Sequence, residues 1–312
     1  MKISLPNTTT SAIGKALLQA QEEYTLATGR VLTLIVVVKE GDDLATIIDA
    51  VRTASHEHPS RVLVVAAGNR DAEPCLDAEV LFGSDSGASE MVIMTLHGQM
   101  AAHPDSVVTP LLLPDTPIVA WWPTQAPENP AEHPVGAIAQ RRITSISYDN
   151  CRDADLKALR RGYTPGDSDM VWARITNWRG IVASALDRFP HEPVTSVRVE
   201  GPGRHPAVDI AAGWLADQLL VPVERVSTNP DVDEDVFPIS RLEMQRDSGP
   251  VVVEVKDRHT MRMKVPGNPE ALVALTPRSD PDCLSEELRH VDPDVAYERA
   301  LNGLFSVQNV EA

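Results

Sequence analysis

Four short constellations in this chain use residue types that do chemistry in other proteins. Gly83-Ser-Asp-Ser-Gly87 has the outline of a nucleophile elbow, the turn that presents a catalytic serine. That turn needs serine midway between the glycines, and Asp85 stands there instead. Its Asp85-Ser86-Gly87 core also occurs in trypsin-like proteases, whose all-β barrels disagree with the helix-rich pattern described below. A turn linking two strands is the better reading. His56-Glu57-His58 separates two histidines by one residue, which on a helix aims them in nearly opposite directions. Pro59 marks a helix end at that point, where the dipole favours histidine. Asp231, Asp233 and Asp235 have the opening spacing of a calcium loop. Val236 then replaces the sixth-position glycine and Leu242 the twelfth-position glutamate. No glycine-rich dinucleotide fingerprint or phosphate-binding P-loop occurs. The expectation is a protein without intrinsic catalysis, bound metal or cofactor.

Gly201-Pro-Gly203-Arg204-His205 is the best candidate for a small-ligand site. It joins a strand to a helix N-terminus, where free N–H groups and the dipole favour anions. Arg204 and His205 add positive character, and Pro206 suits the first helical turn. Gly201, Gly203, Arg204 and His205 are therefore candidate anion ligands for a sugar phosphate or a partner carboxylate. A tight structural turn is the alternative.

Leu113-Pro-Asp-Thr-Pro-Ile-Val-Ala-Trp-Trp-Pro123 contains two of the chain's 5 tryptophans. Ile118 to Trp122 reads as a strand that prolines stop at both ends, because proline donates no ladder hydrogen bond. Consecutive strand residues face opposite sides, so Trp121 and Trp122 share no single core face. Either the sheet is covered on both sides, or one indole lies at a surface where something binds. Farther on, Val171, Ile175, Trp178, Val182 and Ala185 form one apolar stripe of a helix running from about Asp169 to Leu186. Trp172 and Arg179, with Arg174 nearby, lie on an adjacent face. Exposed, they have the composition of a binding hot spot; buried, they belong to a core helix with internal salt bridges.

The elements that position these residues follow from hydrophobic periodicity. Ser11 to Thr25 reads as a helix. Val31 to Val38 and Arg61 to Ala67 are continuous apolar runs, the pattern of strands covered on both faces. Between them Asp42 or Asp43 caps a helix carrying Leu44, Ile47, Ile48 and Val51, which makes a βαβ unit. Val80–Gly83 and Met91–Leu96 are further strands, and a helix from Pro104 to Leu113 leads into the tryptophan strand. Arg142 to Tyr148 returns to strand, and Asp153 to Arg161 to helix. Gly162 to Asp167 is the expected domain boundary. Val194–Val199, Pro206–Leu219 and Pro222–Val226 form a second strand-helix-strand unit. Arg241–Arg246, Val251–Lys256 and Met261–Val265 form an antiparallel meander whose first turn is Asp247-Ser-Gly249. A helix from Ser285 to Leu304 closes the chain. The expected architecture is two layered α/β domains, 1–165 and 166–312, each with a βαβ-like unit and the second with the meander.

Charge and cysteine content narrow the function classes. The 312 residues carry 45 acidic and 28 basic side chains, a formal charge of −17, which argues against a phosphate-backbone partner. The largest basic clusters, Arg141-Arg142 and Arg160-Arg161, are only pairs. No apolar run is long enough to span a bilayer, and the polar start does not resemble a signal peptide. Cys75, Cys151 and Cys283 are few, scattered and without a Cys-Xaa-Xaa-Cys pair, which points to a reducing cytoplasm. Neither nucleic acid nor membrane is an expected partner.

The Leu-Pro-Asp-Thr-Pro…Trp-Trp-Pro segment resembles a hallmark of the glucose-6-phosphate dehydrogenase assembly protein family, OpcA. Asp169-Met-Val-Trp-Ala-Arg-Ile-Thr-Asn-Trp-Arg179 and Ala211-Ala-Gly-Trp-Leu-Ala216 resemble two further family segments, in the same order. The resemblance implies a non-enzymatic protein that activates or helps assemble glucose-6-phosphate dehydrogenase. Candidate partner-binding residues are Asp115, Pro117, Trp121, Trp122, Pro123, Trp172, Arg174 and Arg179. The alternative function is an enzyme or binding protein for a phosphorylated sugar, using the Gly201–His205 turn. A structural module within some other assembly is the third.

Overall fold

A computed structural model describes residues 2–23, 29–39, 41–82, 90–146, 153–228 and 236–311. It is a mixed α/β protein with an eight-stranded and a seven-stranded sheet, each the centre of one compact unit. The Gly83–Gly87 turn, Cys151 and the Asp231–Asp235 run lie outside the described residues.

The first unit opens with β1 (Lys2–Leu5), α1 (Thr10–Glu23), β2 (Leu32–Lys39), α2 (Leu44–Ala54) and β3 (Ser60–Ala67). It continues with β4 (Leu76–Leu81), β5 (Glu90–Leu96), α3 (Pro104–Val108), β6 (Ile118–Trp122), α4 (Pro134–Ala137) and β7 (Arg141–Thr144). The chain then contributes α5 (Asp153–Arg161) to the second unit and returns with β8 (Asp167–Asp169) to the edge of the first sheet. The strand order is β1-β4-β5-β3-β2-β6-β7-β8, with every pair from β5 to β8 parallel. β2 and β3 are central, which is why their sequences do not alternate. Leu34, Ile35, Val36, Val62, Leu63 and Val64 are all buried, as expected from the apolar runs. One face packs Ile35, Leu63, Val92, Met94 and Trp122 against Ile13 and Leu17 of α1 and Val107 and Val108 of α3. The opposite face buries Leu34, Val36, Val62, Val64 and Trp121. Asp43 caps α2, its carboxylate accepting from the Thr46 N–H at 3.2 Å.

The second unit contains α6 (Met170–Arg174), α7 (Thr176–Leu186), β9 (Ser196–Pro202), α8 (Pro206–Leu219) and β10 (Val223–Thr228). The meander follows as β11 (Arg241–Gln245), β12 (Val251–Asp257), β13 (Thr260–Lys264) and β14 (Ala271–Ala274). α9 (Asp280–Arg289) packs on α2 in the first unit, while α10 (Val295–Gly303) and β15 (Val307–Glu311) complete the second. The sheet order is β14-β13-β12-β11-β9-β10-β15; β9, β10 and β15 are parallel and the rest antiparallel.

Two expected helices are each two elements. The run from Asp169 to Leu186 begins as strand, because Asp167–Asp169 pairs with β7, and it breaks again at Ile175. The run from Ser285 to Leu304 breaks at 290–294, where Pro293 cannot continue a helix and Asp294 caps the next one. The Asp294 carboxylate accepts from the N–H groups of Ala296 and Tyr297.

Candidate functional site

Within the first unit, the parallel strands run in the order β5-β3-β2-β6-β7-β8, so connections leave β2 and β6 in opposite directions. The C-terminal ends of β2 and β6 form the switch-point crevice where ligands of open α/β sheets bind. Here the crevice holds the protein's own carboxylates. Asp43 occupies the N-cap of α2, and Asp42 Oδ2 accepts from the Lys39 N–H and from the Thr124 hydroxyl, both at 2.8 Å. A pyrophosphate docked at this helix start would meet negative charge, where dinucleotide sites present bare N–H groups and glycine. The Asp42–Thr124 bond also ties down the start of the proline-rich segment after Pro123.

At the opposite end of β6, the segment resembling the family hallmark lines an open groove of about 730 Å³. Asp115, Thr116 and Pro117 form one wall, Gln140, Arg142 and Pro165 the floor, and Val291–Pro293 the other wall. The turn is tightly set. Asp115 is exposed with φ +56°, a left-handed conformation that aspartate tolerates better than most side chains. The Pro117 carbonyl accepts from Thr33 N–H at 2.9 Å, and the Leu113 N–H donates to Thr33 Oγ1 at 3.2 Å. Gln140 Oε1 accepts from the Ile118 N–H at 2.6 Å.

Two buried arginines hold the floor and far wall. Arg142 donates to Asp167 and to the carbonyls of Ala139 at 2.8 Å and Pro165 at 2.7 Å. Burial pushes the Asp167 carboxyl above its ordinary range, against the pull of Arg142 and the Thr164 N–H. Arg141 pairs with Glu287 and donates to the Asp292 carbonyl at 3.1 Å. The Arg141-Arg142 pair, read from sequence as a small basic cluster, is therefore neutralised inside the fold. Gly166, at φ +99°, lets the chain pass Gln140, whose carbonyl oxygen would lie 2.3 Å from an added Cβ.

Trp121 and Trp122 are each only 2% exposed. Of the two placements the sequence allows, the structure has a strand covered on both faces. Both indoles are therefore core side chains of that sheet, and neither lines the groove. Pro123 is half-buried at the far end of β6 from Asp115 and Pro117, so these three do not form one cluster.

In the second unit Trp172 is also 2% exposed, with Nε1 donating to Asp294 Oδ2 at 2.7 Å. The half-buried Arg179 guanidinium stacks 3.5 Å over its ring and donates to Thr176 Oγ1 at 2.7 Å. Arg174 Nη1 donates to the Arg278 carbonyl at 3.0 Å, and Arg278 Nη1 to the Ala173 carbonyl at 2.8 Å. Trp172 is thus internal, and what remains of the expected hot spot is the edge of Arg179 and Arg174.

The Gly201–His205 turn also differs from the anion site expected. Gly201 is buried, and an added Cβ there would meet the Pro238 carbonyl at 2.5 Å. His205 caps α8, its Nδ1 accepting from the Ala207 N–H at 3.2 Å. Burial, then Arg225 and Arg174, push its pKa down to about 4, so the imidazole is neutral near pH 7. Arg204 is exposed beside a cavity of about 410 Å³ that Arg225, Asp209, Ser227 and Asn309 also line. Arg225, 2% exposed, donates to Asp209 Oδ1 at 2.7 Å, Ser227 Oγ at 3.0 Å and the carbonyls of Gly201 and Pro202. Its charge is engaged within the fold, whereas Arg204 lines the same cavity from an exposed position. Among the described residues no helix is long and apolar enough to cross a membrane.

Comparison with known proteins gives two family matches. Residues 51–161 match the family described as the N-terminal domain of the glucose-6-phosphate dehydrogenase subunit. Residues 165–301 match its companion family, described as the C-terminal domain of the same protein. No curated protein matches the sequence. Solved structures similar in outline include a levoglucosan dehydrogenase in complex with NADH and L-sorbose. It shows 10% identity over 89% of this chain and 91% of that one, at a TM-score of 0.40. A Gfo/Idh/MocA family oxidoreductase from Vibrio cholerae shows 11% identity over 88% and 94%, at 0.38.

Proposed function

The chain belongs to the glucose-6-phosphate dehydrogenase assembly family, OpcA, and from that premise we propose that it is a non-enzymatic partner of glucose-6-phosphate dehydrogenase that favours the active form of that enzyme. The observation that carries this reading is the pair of family matches, which together reach from residue 51 to residue 301. The site geometry supports it. The switch-point crevice carries the carboxylates of Asp42 and Asp43, and the groove bearing Asp115 and Pro117 lies at the strand ends away from it. An open, prolyl-walled groove on a rigid floor suits a protein surface. Prolines and buried arginines order it in advance, so docking costs little entropy. An activator acts through its differential affinity for active and inactive forms, commonly about 1–3 kcal/mol of coupling. The docking surface in this reading is Asp115–Pro117 with Val291–Pro293, with Pro123, Arg174 and Arg179 as further candidates.

A second reading, capture of a small anionic metabolite such as a phosphorylated sugar, draws on the cavity beside Arg204. One experiment separates the two. Purified chain is mixed with the dehydrogenase, and turnover of glucose 6-phosphate is measured beside direct binding of the sugar phosphate to the chain alone. The partner reading expects increased dehydrogenase turnover and no turnover by this chain alone. Unchanged dehydrogenase activity with no complex on gel filtration defeats it.

A further inference from the structure

We propose that Cys75, Asp77 and His97 form a zinc-binding site at one end of the β4–β5 ladder. The register places Leu76 opposite Leu96, so Cys75 and His97 face each other just past the ladder, joined by the His97 N–H to the Cys75 carbonyl at 3.0 Å. Asp77, two residues along β4, projects from the same face as Cys75. A thiol, a carboxylate and an imidazole thereby converge, with one ligand atom from each lying within 4.8 Å of the others. His97 Nε2 and Asp77 Oδ2 are 3.6 Å apart, within the ligand-to-ligand spacing of a tetrahedral zinc centre, roughly 3.3–3.8 Å for bonds of about 2.0–2.3 Å.

The surroundings orient two of the three donors. Asp77 Oδ1 accepts from the Asn7 N–H at 2.8 Å, which leaves Oδ2 turned toward His97. Gly68 packs against the imidazole so closely that an added Cβ would stand 2.6 Å from His97 Nδ1 and Cε1. Gly68 flanks the Nδ1–Cε1 edge of the ring, and Nε2 turns toward the carboxylate. Such outer contacts are what fix ligand orientation in metal sites. The donor set selects the metal class: thiolate and imidazole suit zinc and poorly suit magnesium or calcium, which take oxygen. Three half-buried protein ligands leave a fourth position for water. Binding exchanges the Cys75 thiol proton for the metal–sulfur bond and releases that proton, so affinity rises with pH. Sequence spacing gives no hint of the cluster, because His97 reaches the other two only through strand pairing.

The test uses the full, reduced, metal-free chain with Co²⁺ as the spectroscopic probe and Zn²⁺ as competitor. The expected result is one Co²⁺ per chain with a sulfur-to-cobalt charge-transfer band in the near ultraviolet, abolished by equimolar Zn²⁺. Cys75→Ser removes the band, Cys151→Ser and Cys283→Ser keep it, and His97→Gln or Asp77→Asn weakens Co²⁺ binding tenfold or more. Zn²⁺ also raises the melting temperature of the parent chain and leaves that of Cys75→Ser unchanged, a readout that requires both to be folded. Absence of the band in excess Co²⁺, or a band that survives in Cys75→Ser, overturns the site.

Discussion

Trp121 and Trp122 are consecutive residues of β6 that enter opposite faces of one sheet, and only Trp121 donates to an acceptor, Ser145 Oγ at 3.0 Å. Trp122 meets the His133 ring edge-on at 5.3 Å between centroids, and its buried Nε1 has no hydrogen-bond partner among the described residues. Alanine at either position should cost about 3–5 kcal/mol of stability. Phenylalanine should separate them. Trp121→Phe loses a hydrogen bond, whereas Trp122→Phe deletes a donor that is already unpaired, so Trp121→Phe should be worse by about 1 kcal/mol. Urea unfolding of the four variants checks this; equal costs for the two phenylalanine variants would contradict the difference in pairing.

Arg142 and Asp167 form a buried pair under the groove, and removing one partner strands the other charge. Arg142→Met should destabilise by about 3–5 kcal/mol, and Arg142→Met with Asp167→Asn by clearly less. The sign with pH is defined. Burial already raises the Asp167 carboxyl, and loss of Arg142 raises it further. A raised carboxyl in the folded state favours folding below its unfolded value and loses that contribution as pH rises through the folded value. The deficit of Arg142→Met against the parent chain should therefore narrow as pH falls. Denaturation midpoints at several pH values measure it.

The parts of this fold legible in sequence are those dictated by local pattern. β2 and β3 announce themselves as unbroken apolar runs because both of their faces are covered, and Asp42-Asp43 announces the start of α2 because caps are chemically narrow, the structure giving the cap to Asp43. The edge strands β1, β14 and β15 are only 4, 4 and 5 residues long and partly exposed, too short for a periodicity to show. The apolar stripe from Val171 to Ala185 suggests one helix, since both α6 and α7 bury that side and the break at Ile175 leaves the period intact. The groove is half legible. Asp115 and Pro117 stand in a conspicuous segment, but Gln140, Arg142 and Val291–Pro293 reach it only through tertiary pairing, as Arg141 to Asp292 illustrates. Trp121 and Trp122 are conspicuous by type, and both are buried in the sheet.

His205 gives a second pH-dependent outcome. Its folded pKa is about 4, against about 6.5 when unfolded. Between those values the unfolded chain binds a proton that the folded chain refuses, so stability falls as pH drops from about 6.5 to about 4 and is unaffected above. The contribution is at most about 3 kcal/mol. His205→Asn keeps a side-chain acceptor at the N-cap of α8 and removes the titration. Its melting temperature should track the parent chain near pH 8 and exceed it relatively near pH 5. Parallel curves across that range would show that the imidazole is not held neutral.

The last prediction tests the groove as the docking surface for the dehydrogenase. Asp115 is exposed in a left-handed turn, so Asp115→Asn removes charge while keeping a residue that tolerates that backbone. Asp292→Lys reverses charge on the opposite wall, where the backbone carbonyl, not the side chain, serves Arg141. Neither change touches the buried arginines or the indoles, so melting temperatures should stay close to that of the parent chain. If the partner docks here, each should weaken the complex by at least about 1 kcal/mol, roughly fivefold in affinity, with a matching rise in the concentration needed for activation. Trp122→Ala supplies the contrast, losing stability and activation together because the indole belongs to the core of that unit. Two groove variants that activate the dehydrogenase as well as the parent chain would move the interface elsewhere, with Arg174 and Arg179 of the second unit next to be changed.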